Sequence, residues 1–412
     1  MMRRFVPSWP GGHRALDLVN FFVADVQTGF GPFVAVYLTS HKWTQVEIGF
    51  ALTVGTVTSL VSQLPAGALV DAMRNKRMAA SGALICVIIA ALLLATLPTP
   101  LPVLVAQMLH GFASCVLTPA IAAISLHIAG HAALGERLGR NARFASIGNA
   151  LAAAVMGVTG AYLSSRFVFL LTAALCVPAL FALWSVGAGG HARSQTTSRV
   201  LDLPGLKRLV TDHRLMIFAL CVMLFHLSNA AMLPLAGSMV TMRAGSYANL
   251  IIAACIMVPQ LVVALLSPWV GRAAERFGRR RLLLLGWGAL PLRGLLLAVL
   301  PDAWPLLLGQ AVSGISAAVF GVLLPLLAAD LTLGSKHFNL CMGMLGLAVY
   351  VGAAISTSLG GGIADMASMQ AAFFVLSGIG LVALTTVWLI MPETRPEQEE
   401  EQGQLAPATG SA

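Results

Sequence analysis

An all-α integral membrane protein of twelve transmembrane helices, arranged as two pseudo-symmetric six-helix bundles with both termini cytoplasmic, is the fold this sequence predicts. Three observations predict it. Of the 412 residues, 58% are hydrophobic and only 10% charged, with a mean hydropathy of +0.85. Soluble globular chains carry about 25% charged residues, so this composition belongs in a bilayer. Twelve apolar runs of membrane-spanning length follow one another. A cluster of glycine, acid and cations then occurs twice, at 67–77 and 271–281, with the second copy 204 positions after the first.

The runs lie near 15–39, 46–69, 78–97, 102–129, 143–164, 167–187, 214–240, 248–270, 282–300, 304–329, 338–364 and 369–391. Each is longer than the roughly 10 residues of a barrel strand and lacks dyad alternation, so each is read as a helix. The first follows Met-Met-Arg-Arg but holds Asp17, Asn20 and Asp25 and has no small-residue cleavage site, so it reads as a retained span rather than a signal peptide.

Orientation follows from the cations. The N-terminus and the even-numbered gaps hold twenty Lys and Arg, whereas the odd-numbered gaps hold only Lys42, Arg166 and Arg243. That bias places both termini and both repeated clusters in the cytoplasm. The net charge of +9 is therefore a topology signal and calls for no nucleic-acid partner. Residues 1–187 form the first bundle, 188–213 a polar cytoplasmic linker and 214–391 the second bundle. Residues 392–412 are an acidic tail, low in apolar residues, that reads as disordered and is given no chemistry.

Cys86, Cys115, Cys176, Cys221, Cys255 and Cys341 fall in six different runs without disulfide or metal spacing, and read as small packing residues. The absence of Asn-x-Ser/Thr sequons and the tiny outer loops suit a bacterial inner membrane. His127 and His131 have i, i+4 spacing but no accompanying carboxylate, and read as a loop pair; no metal and no cofactor are expected. No phosphate loop, nucleotide fingerprint or catalytic triad appears, so an enzyme is not expected.

The duplication runs beyond the clusters. Gln107-Met-Leu-His-Gly111 has a counterpart at Gln310-Ala-Val-Ser-Gly314, and Asp25 corresponds to Asn229, all within one residue of the same offset. On these features the chain resembles the major facilitator superfamily, whose signature between the second and third helices is roughly G-x-L-x-D-R-x-G-R-R/K. The first copy keeps Gly67, Leu69, Asp71 and Lys76 but has Ala72, Arg74 and Asn75 at other signature positions. The second is fuller, with Gly271, Arg276, Gly278, Arg279 and Arg280, and Glu275 in place of the Asp. The resemblance implies a secondary transporter, and a cavity lined by the first, fourth, seventh and tenth helices.

The chemistry of the cluster is also readable directly. Gly67, lacking Cβ, allows another helix's backbone to approach closely, and Asp71 can accept hydrogen bonds from a helix N-terminus. Gly67, Asp71, Arg74, Lys76, Gly271, Glu275, Arg276 and Gly278 are therefore the expected cytoplasmic latch. Arg279 to Arg281 read instead as topology-setting cations on lipid phosphates.

Polar groups inside the membrane each need a reason. Asp25, near the middle of the first run, is either a proton- or cation-coupling site or a satisfied structural acid. Gln107, His110, Ser114 and Thr118 follow helical spacing and form one polar stripe; His226 with Asn229, and Gln310 with Ser313, form shorter ones. With Asn20, the residues Gln107, His110, Ser114, His226, Asn229 and Gln310 are the candidate cavity contacts, with interhelical hydrogen bonding the alternative for each. Arg293 reads as either a headgroup anchor or the buried partner of an acid.

Two departures from the family pattern bear on mechanism. Gln107 stands where many proton-coupled members carry Arg, and Ala161-Tyr162 stands where exporters carry Gly-Pro, although Gly148 and Gly157 keep the spacing. The reading is a proton-coupled secondary transporter, a monomer among membrane lipids, exporting an amphiphilic, drug-like or weakly cationic solute. Import of a small nutrient, a membrane sensor and an intramembrane enzyme are the alternatives, in that order.

Overall fold

The computed structural model describes residues 10–28, 30, 32–162, 164–186, 203–236, 248–299, 303–335 and 337–395, and among these every regular element is a helix. The first half holds α1 (Pro10–Thr28), α2 (Pro32–Ser40), α3 (Gln45–Ala72), α4 (Lys76–Thr96), α5 (Pro100–Ala129), α6 (Leu134–Tyr162) and α7 (Ser165–Ser185). The second holds α8 (Leu203–Thr211), α9 (His213–Asn229), α10 (Ala248–Phe277), α11 (Arg279–Val299), α12 (Ala303–Leu331), α13 (Phe338–Met366) and α14 (Met369–Ile390). Among the described residues, ten helical segments are long and apolar enough to cross a membrane.

Local chemistry explains where helices begin. Thr44 and Glu47 form a reciprocal capping box at α3; Asn75 caps α4, Asp212 caps α9 and Ser368 caps α14, each accepting from first-turn N–H groups. Prolines 65, 119, 178, 259, 268, 291 and 325 lie inside helices, where neighbouring helices can satisfy the carbonyls they free.

Two boundaries differ from the sequence reading. The run 15–39 is not one helix, because α1 ends at Thr28 and α2 starts at Pro32. Proline has no N–H to donate into the preceding turn and restricts the residue before it, so the ladder stops there. The segment 188–213 is not wholly a linker either. Its last third folds as α8, which turns Leu206 and Leu209 to the core and leaves Lys207 and Arg208 exposed.

Contacts between the two halves follow the sequence repeat. An ideal Cβ on Gly67 would lie 2.3 Å from the Asn339 carbonyl oxygen, and one on Gly271 would lie 2.2 Å from that of Gly135. Gly343 approaches the Gln63 carbonyl to 2.4 Å on the same measure, and Gly139 approaches that of Ser267 to 2.3 Å. Each member of one contact lies 204 positions from its counterpart in the other. Backbone therefore meets backbone twice, α3 against α13 and α10 against α6, both on the cation-rich side. An apolar core joins the halves there, with Ala68, Ala122, Leu134 and Leu138 of the first half packed among residues of the second.

Candidate functional site

The paired acids sit at these close approaches. Asp71, one turn beyond Gly67, accepts hydrogen bonds from Asn339 N (3.1 Å), Asn339 Nδ2 (2.6 Å) and Leu340 N (2.8 Å) at the start of α13. Glu275, one turn beyond Gly271, accepts from Glu136 N (3.2 Å) at the start of α6. A carboxylate at a helix N-terminus satisfies orphan N–H groups and meets the positive end of the dipole. Each half thus holds an acid against a helix start of the other.

The latch cations behave differently. Lys76 donates to the carbonyls of Val70, Asp71 (3.1 Å) and Met73 (2.9 Å), closing the end of α3 within its own half. Arg74 is exposed at the turn, and Arg276 is exposed with its guanidinium 5.2 Å from the Phe277 ring. Gly278, buried with φ +91°, ends α10 in the left-handed region that favours glycine.

Arg279 is not lipid-facing. It is 5% exposed and donates from Nε to Asp330 (2.9 Å) and from Nη1 to the Ala274 carbonyl (2.8 Å). A buried guanidinium held from both Nε and Nη1 does not reach lipid phosphate, so the lipid-phosphate expectation fails for this residue. Asp330, its side chain buried, also faces His131 Nδ1 at 3.8 Å, which joins the 130–133 turn of the first half to α12 of the second. Among the described residues no metal-ligand cluster forms.

The start of the tail is also engaged. Glu393 accepts from Arg279 N (2.8 Å) and Arg280 N (3.1 Å), capping α11, while Arg395 donates to the Arg276 carbonyl (3.3 Å). Residues 392–395 are thus structured by a cap that the acidic composition alone did not reveal; 396–412 lie outside the described residues.

Deeper in the membrane, the polar stripes separate. In α5, Gln107 is buried against Gly55, and His110 stacks on Phe30 with centroids 4.0 Å apart and planes 7° apart. Gln107 Nε2 and His110 Nε2 have no hydrogen-bond partner among the described residues. Ser114 donates to the His110 carbonyl (3.0 Å) and Asn20 to the Leu16 carbonyl (2.7 Å), both inside their own helices. In α9, His226 lies 4.9 Å from the Phe320 ring. The side chain of Asp25 lies outside the described residues.

Arg293 gathers the other candidates. Its Nη1 donates to Asn229 Oδ1 (2.6 Å) and its Nη2 to Gln310 Oε1 (3.3 Å), joining α9, α11 and α12. At 2% exposure it is no headgroup anchor, and its partners here are amides rather than an acid. A cation inside an apolar run was the available signal; which amides it meets was not.

A second ionic cluster went unremarked in the sequence. Asp17 of α1, 3% exposed, pairs with Arg137 and Arg140 of α6, and Arg137 continues through Asn141 to Ser125. Its signal was an acid two turns before Asp25 facing cations spaced i, i+3.

These features, two halves meeting through a repeated glycine and acid contact, can be set beside known proteins. The profile described as Major Facilitator Superfamily matches residues 16–263 and again 218–410. The chain belongs to the major facilitator superfamily. An uncharacterised MFS-type transporter of Mycobacterium tuberculosis is similar at 34% identity over 391 residues, covering 92% of this chain and 93% of that protein. The class B tetracycline resistance protein of Escherichia coli is 31% identical over 151 residues, 37% of each chain. The fucose:proton symporter of E. coli shares the fold, with a TM-score of 0.72 at 14% identity over 93% of this chain and 98% of that one. This MFS chain is thus a multi-pass membrane transporter and not an enzyme.

Proposed function

We propose that this MFS protein exports an amphiphilic, drug-like solute by alternating access, coupled to protons through Asp25. In this reading twelve helices cross a bacterial inner membrane with both termini cytoplasmic, α1 and α2 together forming the first span and α6 the fifth. The observation that carries it is the doubled contact of Gly67 and Asp71 with α13, and of Gly271 and Glu275 with α6. Contacts made by backbone approach and helix capping form or break as units, which suits a latch closing the cytoplasmic side in one state.

Gln107 and His110 in the first half, and His226, Asn229 and Gln310 in the second, offer few hydrogen bonds, and a cavity lined by them would suit an amphiphile better than a sugar. Export draws support from the drug-resistance protein among the partial relatives. Asp25, placed mid-run in a medium hostile to charge, is the group suited to reversible protonation.

Two steps test this. A thermal-shift screen of the purified protein across drugs, siderophores, sugars and organic acids finds a ligand, since saturation at about 100 times Kd adds about 2.7 kcal/mol of stability. That ligand is then followed in proteoliposomes under an imposed pH gradient. Wild-type protein is expected to move it against the proton flux, and Asp25→Asn to bind it without pH-driven movement. Unchanged flux in Asp25→Asn would remove Asp25 from coupling, and movement with the proton flux would make the protein an importer.

A further inference from the structure

The geometry points to an anion-recognition site on Arg293 in the second half, which gives the exported solute a negative charge on an apolar body. The inference rests on the transport reading and adds to it a substrate class.

A guanidinium carries five N–H donors and cannot shed its charge. Here it is 2% exposed, and two of its nitrogens meet amide oxygens, of Asn229 at 2.6 Å and Gln310 at 3.3 Å. Its Nε has no partner among the described residues, and neither does Nε2 of Gln310, itself 1% exposed. Unspent donors thus remain on a cation and on an amide that hydrogen-bond each other in a buried place. Neutral amides orient a guanidinium but do not neutralise it, and an uncompensated buried cation is costly. A carboxylate or sulfonate would accept from these donors in charge-assisted hydrogen bonds and supply the missing charge.

The site is also asymmetric. The corresponding helix of the first half, α4, has no charged residue after Arg77. A brace needed by the shared fold alone would be expected in both halves. One turn from Asn229, His226 packs 4.9 Å from Phe320, whose partly exposed ring offers an aromatic face for the apolar body.

The test uses the purified full-length chain with benzoate, 1-naphthoate and 1-naphthalenesulfonate, each against its neutral carboxamide or sulfonamide. The anions are expected to raise Tm and the neutral forms not. Binding should fall roughly thirtyfold or more in Arg293→Gln, the low end for losing one partner of a buried charged contact. Arg293→Lys should retain part of it. Should Arg293→Gln fail to fold, Gln310→Leu keeps the cation and must still weaken the anions selectively. No stabilising anion, equal binding of the neutral forms, or full affinity in the folded variants would overturn the site. Counterflow in proteoliposomes separates the two levels. Bound anions that never exchange would sink the transport reading alone, whereas exchange of neutral compounds indifferent to Arg293 would sink this inference alone.

Discussion

Gly67 and Gly271 are positions where one methyl group decides a contact between halves. Their ideal Cβ atoms fall 2.3 and 2.2 Å from backbone carbonyl oxygens, which cannot rotate away as a side chain can. Gly67→Ala is therefore expected to part α3 from α13. Cys341, wholly buried two residues beyond Asn339, reports this. Maleimide labelling of Cys341, followed by mass spectrometry, should run faster in Gly67→Ala than in wild type; an equal rate would show that the approach is not a constraint. Asp71→Ala removes the carboxylate that accepts three hydrogen bonds at one helix start, and is expected to cost about 0.5–2 kcal/mol, the usual range for a lost cap, read as a lower Tm. These two residues were legible in the sequence because a glycine followed by an acid at a basic gap carries its own mechanism. The partners of Arg293 were not, since a residue's place in a helix says nothing of which neighbouring amides reach it. The role of Lys76 was hidden similarly, because cation count does not distinguish a cross-half contact from a cap on its own helix.

At the scale of elements, the existence of helices followed from apolar length alone, while their breaks depended on single residues. Pro32 divides a run whose hydropathy is continuous, and α8 emerges from a polar stretch because Leu206 and Leu209 share one face. The tail shows the reverse error, in which composition masked a specific contact. Glu393 caps α11 from outside, beside Gly278, whose positive φ turns the chain. Glu393→Ala is expected to destabilise the start of α11 by about 0.5–2 kcal/mol, seen as a lower Tm and as faster amide exchange at Arg279 and Arg280. Deletion of 396–412 should leave both unchanged, and an effect from that deletion equal to Glu393→Ala would move the cap elsewhere.

For the whole molecule, duplication was the most informative reading of the sequence, because an offset of 204 relates not only motifs but the contacts they make. Gly67 with Asn339 and Gly271 with Gly135 are one contact written twice. Divergence is as informative as likeness: Asp25 has Asn229 as its counterpart, and Arg293 has no charged one. On the proposed reading, an acid in one half and an arginine in the other would give the transport cycle two chemically different groups, one suited to a proton and one to an anion. Such a cycle requires the doubled contact on the cation-rich side to open. The most direct measurement is the distance between spin labels at Arg74→Cys and at Leu333→Cys, both exposed on that side in opposite halves, in a cysteine-free background in nanodiscs. A second, longer distance population is expected, one that grows when Gly67→Ala is introduced and shifts with pH or bound solute. A single distance, unmoved by the substitution, by pH and by every ligand that raises Tm, would contradict it.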